Sequence, residues 1–174
     1  MVTVFFLSVF FVLYSYAIYP LCLKMLQPKH NITASTPETW PTVSLIITAH
    51  NEATRIAEKL DNAIALDYPK DKLQIIVASD CSSDNTDDIV TTYADKGIQL
   101  VRADQHLGKE YAQYCAIQKS TGDIIVFSDV STDIPADAIS TLARYFTDDI
   151  VGAVSSEDRF ISEGGKIVGE SAYV

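Results

Sequence analysis

The stretch VSLIITAHNEATRIAEKLDNAIALDYPKDKLQIIVAS, residues 43–79, contains two short apolar runs separated by a longer amphipathic segment. The runs VSLIITA (43–49) and LQIIVAS (73–79) are rich in β-branched residues, as buried strands are. Between them, an apolar residue recurs at the spacing of one helix face within 51–66. A strand, a helix and a second strand in this order predict a βαβ unit with parallel strands.

The same alternation continues through the rest of the chain. The apolar runs are too continuous for a sheet with one solvated face, so they indicate strands covered by helices on both faces. The predicted fold class is therefore α/β, a mostly parallel sheet of the Rossmann-like kind. Further strands are predicted at 98–103, 123–129 and 150–156, and further helices at 84–96, at 108–120 and from Pro135 onward.

The N-terminal segment has a different character. Residues 2–23 contain no charged side chain, and a helix of this length spans roughly 30 Å, enough to cross the hydrocarbon core of a bilayer. A cleaved signal peptide and a buried core helix are the alternatives. A signal peptide would have a basic residue before its apolar run, and this sequence has none there. We therefore expect a transmembrane anchor at 1–24, a polar linker at 25–41 and an α/β domain at 42–174.

The flanking charges predict an orientation for this anchor. Lys24 and Lys29 are the first basic residues and follow the span, so the positive-inside rule places the α/β domain in the cytoplasm. The triplet Asn31-Ile32-Thr33 is a glycosylation sequon, which would matter only if that side were exported.

Composition excludes several functions. The formal net charge of −10 argues against nucleic acid as a partner, because phosphate binding needs basic patches. A single nucleotide could still bind through loop amides and a metal ion. The three cysteines are scattered without metal-ligand spacing, which indicates free thiols.

Acidic and amide side chains follow three of the four strands considered. Ligands of open α/β sheets bind outside the carboxyl ends of the strands, so this edge is the candidate site. Asn51 and Asp84 are explained equally well as helix caps. Asp80 and Asp129 each follow an apolar run directly, and we interpret them as functional.

Common phosphate-binding and hydrolase patterns are absent from the sequence. It has no G-x-G-x-x-G, no G-x-x-x-x-G-K-[ST] and no G-x-S-x-G. Gly108 and Lys109 open the third helix of the α/β domain, and this arrangement suits an anionic ligand as well as a solvated lysine.

Three short segments together resemble one family. They are SDCSSDNT (79–86), HLGKEYAQ (106–113) and VFSDVST (126–132). Before the first of them, the strand VSLIITA runs into Asn51-Glu52 and is followed by a helix. From Val43 to the C-terminus the chain resembles family 2 glycosyltransferases of the GT-A fold. Cys81 stands where that family usually has glycine.

The resemblance implies a nucleotide-sugar donor. Glu52, with the backbone of Ala49 to Asn51, would line the nucleoside pocket, and Asp80 would accept a hydrogen bond from the uracil imide. The implied reaction is glycosyl transfer from a UDP-sugar to an unknown glycan or lipid acceptor at the membrane, in polysaccharide or glycoconjugate synthesis.

The resemblance also implies a metal. Lys109 would lie near the diphosphate and Asp129 would take the first position of the D-x-D pair, with Mg²⁺ or Mn²⁺ neutralising the leaving group. Ser131 stands at the second position, where a hydroxyl is a weaker ligand than a carboxylate. Three outcomes are open: Asp133 substitutes, the metal relies on the diphosphate and Asp129, or metal binding is weak.

No catalytic base is assigned. Members of the family continue beyond the equivalent of Val174 into an acceptor-binding half that supplies it, so we expect this chain to be the donor-binding half of a larger enzyme. A membrane-tethered nucleotide-sugar-binding protein without activity is the main alternative. A phosphohydrolase with Asp129 as nucleophile is disfavoured, since its pattern also needs an acid at position 131.

Overall fold

The computed structural model describes residues 2–26, 33–156, 158–161 and 167–171. The chain divides into a helical N-terminal unit and an α/β unit that begins at Thr33. Part of the predicted linker, residues 27–32, lies outside the described residues, as does the predicted sequon except for Thr33.

The N-terminal unit is a continuous helix. It consists of α1 (Val2–Leu13), a π-helical turn (Tyr14–Ile18) and α2 (Tyr19–Leu26). The wider turn ends two residues before Pro20, whose ring lacks the N–H that a regular helix would use at that point. This helix of 25 residues is long and apolar enough to cross a membrane, and none of the residues in its most apolar stretch is buried within the protein.

The α/β unit is built on a parallel sheet of four strands in the order β3-β2-β1-β4. The central strand, β1, pairs with β2 on one side and with β4 on the other. The parallel α/β class predicted from sequence is therefore confirmed. The strands are β1 (Val43–Ala49), β2 (Leu73–Ser79), β3 (Ile98–Arg102) and β4 (Ile124–Asp129).

Helices pack on both faces because successive residues of a strand point in opposite directions. Leu45 and Ile47 join the larger core cluster with Ile56 of α3, whereas Ile46 of the same strand joins the smaller cluster with Ala112 of α5. The helices are α3 (Ile56–Ile64), α4 (Thr86–Thr91), α5 (Lys109–Ile117) and α6 (Ala138–Ala143).

The helices are shorter than the sequence predicts. The helix expected within 51–66 begins only at Ile56, because Asn51 has a left-handed φ of 55° and Arg55 a φ of −123°, both outside the helical range. The helix expected over 84–96 ends at Thr91 and is followed by a separate 3₁₀ turn, after which Gly97 adopts a left-handed φ of 86°.

The predicted fifth strand at 150–156 is wrong. Residues 151–156 have no regular secondary structure, and the two remaining strands of the described residues, β5 (Asp158–Ile161) and β6 (Ile167–Ser171), pair antiparallel in a sheet of their own. Gly152 weakens a strand and the polar Ser155 and Ser156 bury little apolar surface, which offsets the strand preference of Val151 and Val154.

Candidate functional site

A cleft of about 270 Å³ opens at the carboxyl edge of the sheet. The ends of β1, β2 and β4 and the first turn of α5 contribute to it, as expected for a parallel α/β sheet. The cleft is lined by Thr48, Ala49, His50, Glu52, Asp80, Lys109, Asp129, Val130 and Ser131.

Asp80 lies at the buried end of the cleft. The residue is only 3% exposed, and its backbone N–H donates to the carbonyl oxygen of Ala49. One carboxylate oxygen accepts the Gly108 N–H at 3.3 Å, and the other lies 2.9 Å from Nδ1 of His106. The two oxygens are therefore held by separate donors, which fixes the orientation of the carboxylate.

Two histidines stack beside Asp80. The rings of His50 and His106 are 4.5 Å apart and nearly parallel, with an interplanar angle of 17°. Their Nδ1 atoms lie 2.7 Å and 3.2 Å from the Asp80 carbonyl oxygen. Neither ring has a role predicted from the sequence, although His50 directly follows β1 and His106 lies two residues before Gly108, the N-cap of α5.

His50, Asp80 and His106 also present ligand atoms within 4.8 Å of one another, a spacing that a metal ion could use. A carbonyl oxygen can only accept a hydrogen bond, so an Nδ1 atom that approaches it carries a proton and offers no lone pair. The other ring nitrogen of His50, Nε2, lies 3.1 Å from Nδ2 of Asn51 and accepts a hydrogen bond from it. Hydrogen bonds therefore occupy both nitrogens of His50, and they account for this cluster better than a metal does.

Asp129 lies at the open end of the cleft. In the β1–β4 register it pairs with Thr48, and its side chain is 52% exposed. Lys109 crosses from the start of α5 and places its ammonium 2.6 Å from Oδ1 of Asp129. Ser131 also lines the cleft, whereas Asp133 does not.

A lysine is buried beneath this end. Lys59 of α3 is 2% exposed, and its ammonium donates to Ser128 Oγ at 2.8 Å and to the carbonyl oxygen of Thr132. Burial lowers the pKa of Lys59 to about 8, and the negative charges of Asp133 and Asp129 act in the opposite direction. No local sequence pattern indicates this burial, since a lysine in a helix is usually exposed.

Asn51 is placed differently from the other predicted residues. Its side-chain oxygen accepts the N–H of Ser83 at 2.8 Å and that of Asp84 at 3.4 Å, and it does not line the cleft. It joins the loop after β1 to the loop after β2. The structure therefore gives Asn51 a contact within the protein, between the two loops that border the cleft.

Glu52 lines the cleft and is also tied to its surroundings. Its carboxylate forms an ion pair with Arg55, with Nη2 and Oε2 2.8 Å apart. Its N–H donates to Thr86 Oγ1 at 2.8 Å, and that hydroxyl in turn donates to Asp84 at 2.5 Å. The same hydrogen bond from Thr86 lowers the pKa of Asp84.

The sequence of residues 44–171 matches the family described as Glycosyl transferase family 2. This match covers most of the α/β unit, including every residue that lines the cleft. The chain belongs to glycosyl transferase family 2. The family and the GT-A fold inferred from the three short segments are thereby confirmed.

Relatives within and around this family include an N-acetylglucosaminyltransferase of Mesorhizobium japonicum, 31% identical over 157 residues. The alignment covers 82% of this chain and 37% of that protein. The chain thus spans well under half the length of this relative.

Solved structures agree with the fold. The mannosyltransferase PcManGT from Pyrobaculum calidifontis, in complex with GDP-Man and Mn²⁺, superposes with a TM-score of 0.67 at 30% identity, over 78% of this chain and 40% of that one. S. aureus TarS 1-349 in complex with UDP-GlcNAc gives a TM-score of 0.52 at 25% identity, over 57% and 29%. Nucleotide-sugar donors are thus bound by two proteins of this fold.

The donor set of the family 2 cleft suits a hard divalent cation. Asp129 offers an exposed carboxylate and Ser131 a hydroxyl on the same wall, and oxygen ligands of this kind are those that Mg²⁺ and Mn²⁺ prefer. Asp129 and Ser131 are therefore the residues that would hold such an ion.

Proposed function

We propose that this chain is the donor-binding part of a metal-assisted glycosyltransferase that uses a UDP-sugar. The observation that carries the proposal is the pairing, in one cleft, of a buried carboxylate at Asp80 with an exposed cation and carboxylate at Lys109 and Asp129. The buried Asp80 carboxylate suits the polar edge of a nucleobase, and the pair of Lys109 and Asp129 suits a diphosphate with its metal.

The base would bind at the Asp80 end. A fixed carboxylate accepts hydrogen bonds only, so it favours a base with a ring N–H on its pairing edge. Cytosine and adenine have an acceptor ring nitrogen there and can donate only from an exocyclic amine, whereas uracil and guanine each have a ring N–H. We propose uracil of these two, the base that S. aureus TarS binds as UDP-GlcNAc. Ala49 and Glu52 line the same cavity and would contact the nucleoside, while Asn51 would act through the loop it joins.

The diphosphate would bind at the Asp129 end. Lys109 lies at the start of α5, where the helix dipole also favours an anion, so its ammonium would exchange Asp129 for a phosphate oxygen. A bound Mg²⁺ or Mn²⁺ would neutralise the charge that develops on the leaving diphosphate. Asp129 and Ser131 would hold that ion, and Asp133, outside the cleft, would contribute only its charge.

The acceptor would be a glycan or lipid at a membrane. We propose that the N-terminal helix anchors the chain, with the α/β unit on the cytoplasmic side that Lys24 and Lys29 predict. The relatives are longer than this chain, and we propose that the catalytic base and the acceptor site belong to the part that their extra length supplies.

The test is a calorimetric titration of UDP into the full chain in detergent, with and without Mn²⁺. We expect binding that Mn²⁺ strengthens, weaker binding of GDP, and no binding to a folded Asp80→Ala variant. Tighter binding of GDP would overturn the assignment of uridine. No binding of either nucleotide by a folded chain would overturn the donor site itself.

Turnover separates an enzyme from a binding protein. Incubation of the chain with UDP-sugars and Mn²⁺, followed by assay of released UDP, measures whether this part alone cleaves the donor. Because we assign no base to these residues, we expect release no faster than in the Asp129→Asn variant. Faster release of UDP by the wild-type chain would show that these residues do include a catalytic base.

A further inference from the structure

Lys59 is a charged side chain in an apolar setting. It lies in the middle of α3, on the face that also carries Ile56 and Leu60, and all three side chains are almost completely buried. Placing an ammonium there costs solvation free energy, which the lowered pKa of Lys59 reflects. An apolar side chain of the same length would fill the space at a lower cost, so packing alone does not account for a lysine.

The contacts of Lys59 are specific. Its ammonium donates to Ser128 Oγ, 2.8 Å away, and to the Thr132 carbonyl oxygen. Ser128 directly precedes Asp129, and Thr132 directly follows Ser131. One buried cation therefore joins the two ends of the short segment that carries both candidate metal ligands.

A second side chain of α3 extends this attachment. Asn62, one turn after Lys59, donates from Nδ2 to the Ile134 carbonyl oxygen at 2.8 Å and accepts the Ile134 N–H at 3.1 Å. The segment 128–134 is thus fastened to α3 at three of its residues. Asp129 and Ser131, between these points, are left to face the cleft.

We infer that Lys59 is a positioning residue that holds the Asp129–Ser131 segment in the orientation needed for a metal-bound diphosphate. This inference rests on the proposed donor site. It concerns a residue outside the cleft, which would act on the ligand only through Ser128 and Thr132. The positive charge of the Lys59 ammonium also lies near the carboxylates of Asp129 and Asp133, and it offsets the repulsion between them.

The test compares Lys59→Met with Lys72→Met in the full chain. Methionine keeps the length and apolar body of lysine and removes the donor, so both variants should fold, as circular dichroism will check. Lys72 is the matched control, because its ammonium donates to the Trp40 carbonyl oxygen at 2.7 Å, away from the cleft. Ser128→Ala removes one Lys59 partner with little change in volume and serves as the second variant if Lys59→Met does not fold.

The first measurement is hydrogen–deuterium exchange over residues 128–134, without any ligand. We expect the amides of this segment to exchange at least about fivefold faster in Lys59→Met, less in Ser128→Ala, and at the wild-type rate in Lys72→Met. Wild-type exchange over 128–134 in a folded Lys59→Met variant would overturn the inference.

The second measurement is the gain in UDP affinity that Mn²⁺ provides. We expect Lys59→Met to lower this gain about tenfold and to leave metal-free UDP affinity unchanged, a split that general destabilisation would not produce. An unchanged gain would overturn the inference. If the wild-type chain bound no nucleotide, the donor site would be refuted, and the exchange measurement would still decide whether Lys59 orders the segment.

Discussion

The strand ends at β2 and β4 each present an aspartate to the same cleft, but the protein holds the two carboxylates very differently. The Asp80 side chain is 5% exposed and has a separate donor on each oxygen. The Asp129 side chain is 52% exposed and meets the flexible ammonium of Lys109. The first geometry is complete before any ligand arrives. The geometry at Asp129 has room for a ligand. This is the arrangement expected if the end of β2 binds a base and the end of β4 binds a metal-bound diphosphate.

The largest effect should separate the two carboxylates directly. In the absence of metal, Asp80→Asn should weaken UDP binding by about thirtyfold, since a hydrogen bond to a charged group contributes about 2 kcal/mol. Asp129→Asn should change metal-free affinity by less than about threefold. Calorimetry on both folded variants measures this, and equal losses would contradict the division of roles.

Backbone strain should distinguish the same two ends. Cys81 has a left-handed φ of 54°, which a β-branched residue tolerates poorly, so Cys81→Val should lower the free energy of unfolding by about 2 kcal/mol. Ser131→Val, at an exposed position without this strain, should change it by less than about 0.5 kcal/mol. Urea denaturation followed by Trp40 fluorescence provides the measurement.

Cys81→Gly is the control for that prediction. Glycine adopts the left-handed region freely, so its effect should stay within about 1 kcal/mol of the wild type. A loss as large as that of the valine variant would show that the cysteine side chain, whose thiol lies 3.2 Å from the Ala103 carbonyl oxygen, matters more than the backbone conformation.

A second carboxylate at the open end should sharpen the difference. Ser131→Asp adds a charged oxygen ligand beside Asp129, so the gain in UDP affinity on adding Mn²⁺ should rise by about tenfold, or roughly 1.4 kcal/mol. Ser131→Asn is the neutral control and should give no such rise. If both variants behaved like the wild type, residue 131 would lie outside the metal site.

The smallest effect concerns the ion pair between Lys109 and Asp129. Both side chains are more than half exposed, and such pairs contribute little to stability, so Lys109→Met should change the free energy of unfolding by less than about 0.5 kcal/mol. A loss above about 1 kcal/mol in urea denaturation would mean that the open end is held as firmly as the β2 end.

Local sequence patterns were sufficient for the four strands of the parallel sheet. VSLIITA and LQIIVAS are apolar, β-branched and short, and β1 and β2 have the bounds that these runs predict. Asp80 and Asp129 could be singled out because each directly follows a buried run and parallel strands bring their carboxyl ends to one edge. The segment at 150–156 shows the limit of this reasoning, since part of it lines the same groove as β4, an edge strand of the described sheet, and still forms no strand.

Side-chain partners could not be predicted in the same way. Lys59 and Ser128 are 69 positions apart in sequence, and Asn51 and Ser83 are 32 apart, so nothing local indicates either contact. The orientation of His106 toward Asp80 depends on where the loop before α5 is placed by the sheet beneath it. These contacts arise from the tertiary structure, and they distinguish the two ends of the cleft.

The attachment made by Asn51 has a consequence for how this domain could be redesigned. Its side-chain oxygen accepts hydrogen bonds from the main-chain N–H groups of Ser83 and Asp84, and almost any residue would supply the same N–H groups. The loop after β2 can therefore exchange many of its side chains and keep its path. A library that varies residue 83 while it retains Asn51 and Asp84 should therefore yield folded proteins whose loop after β2 differs in surface chemistry but not in course.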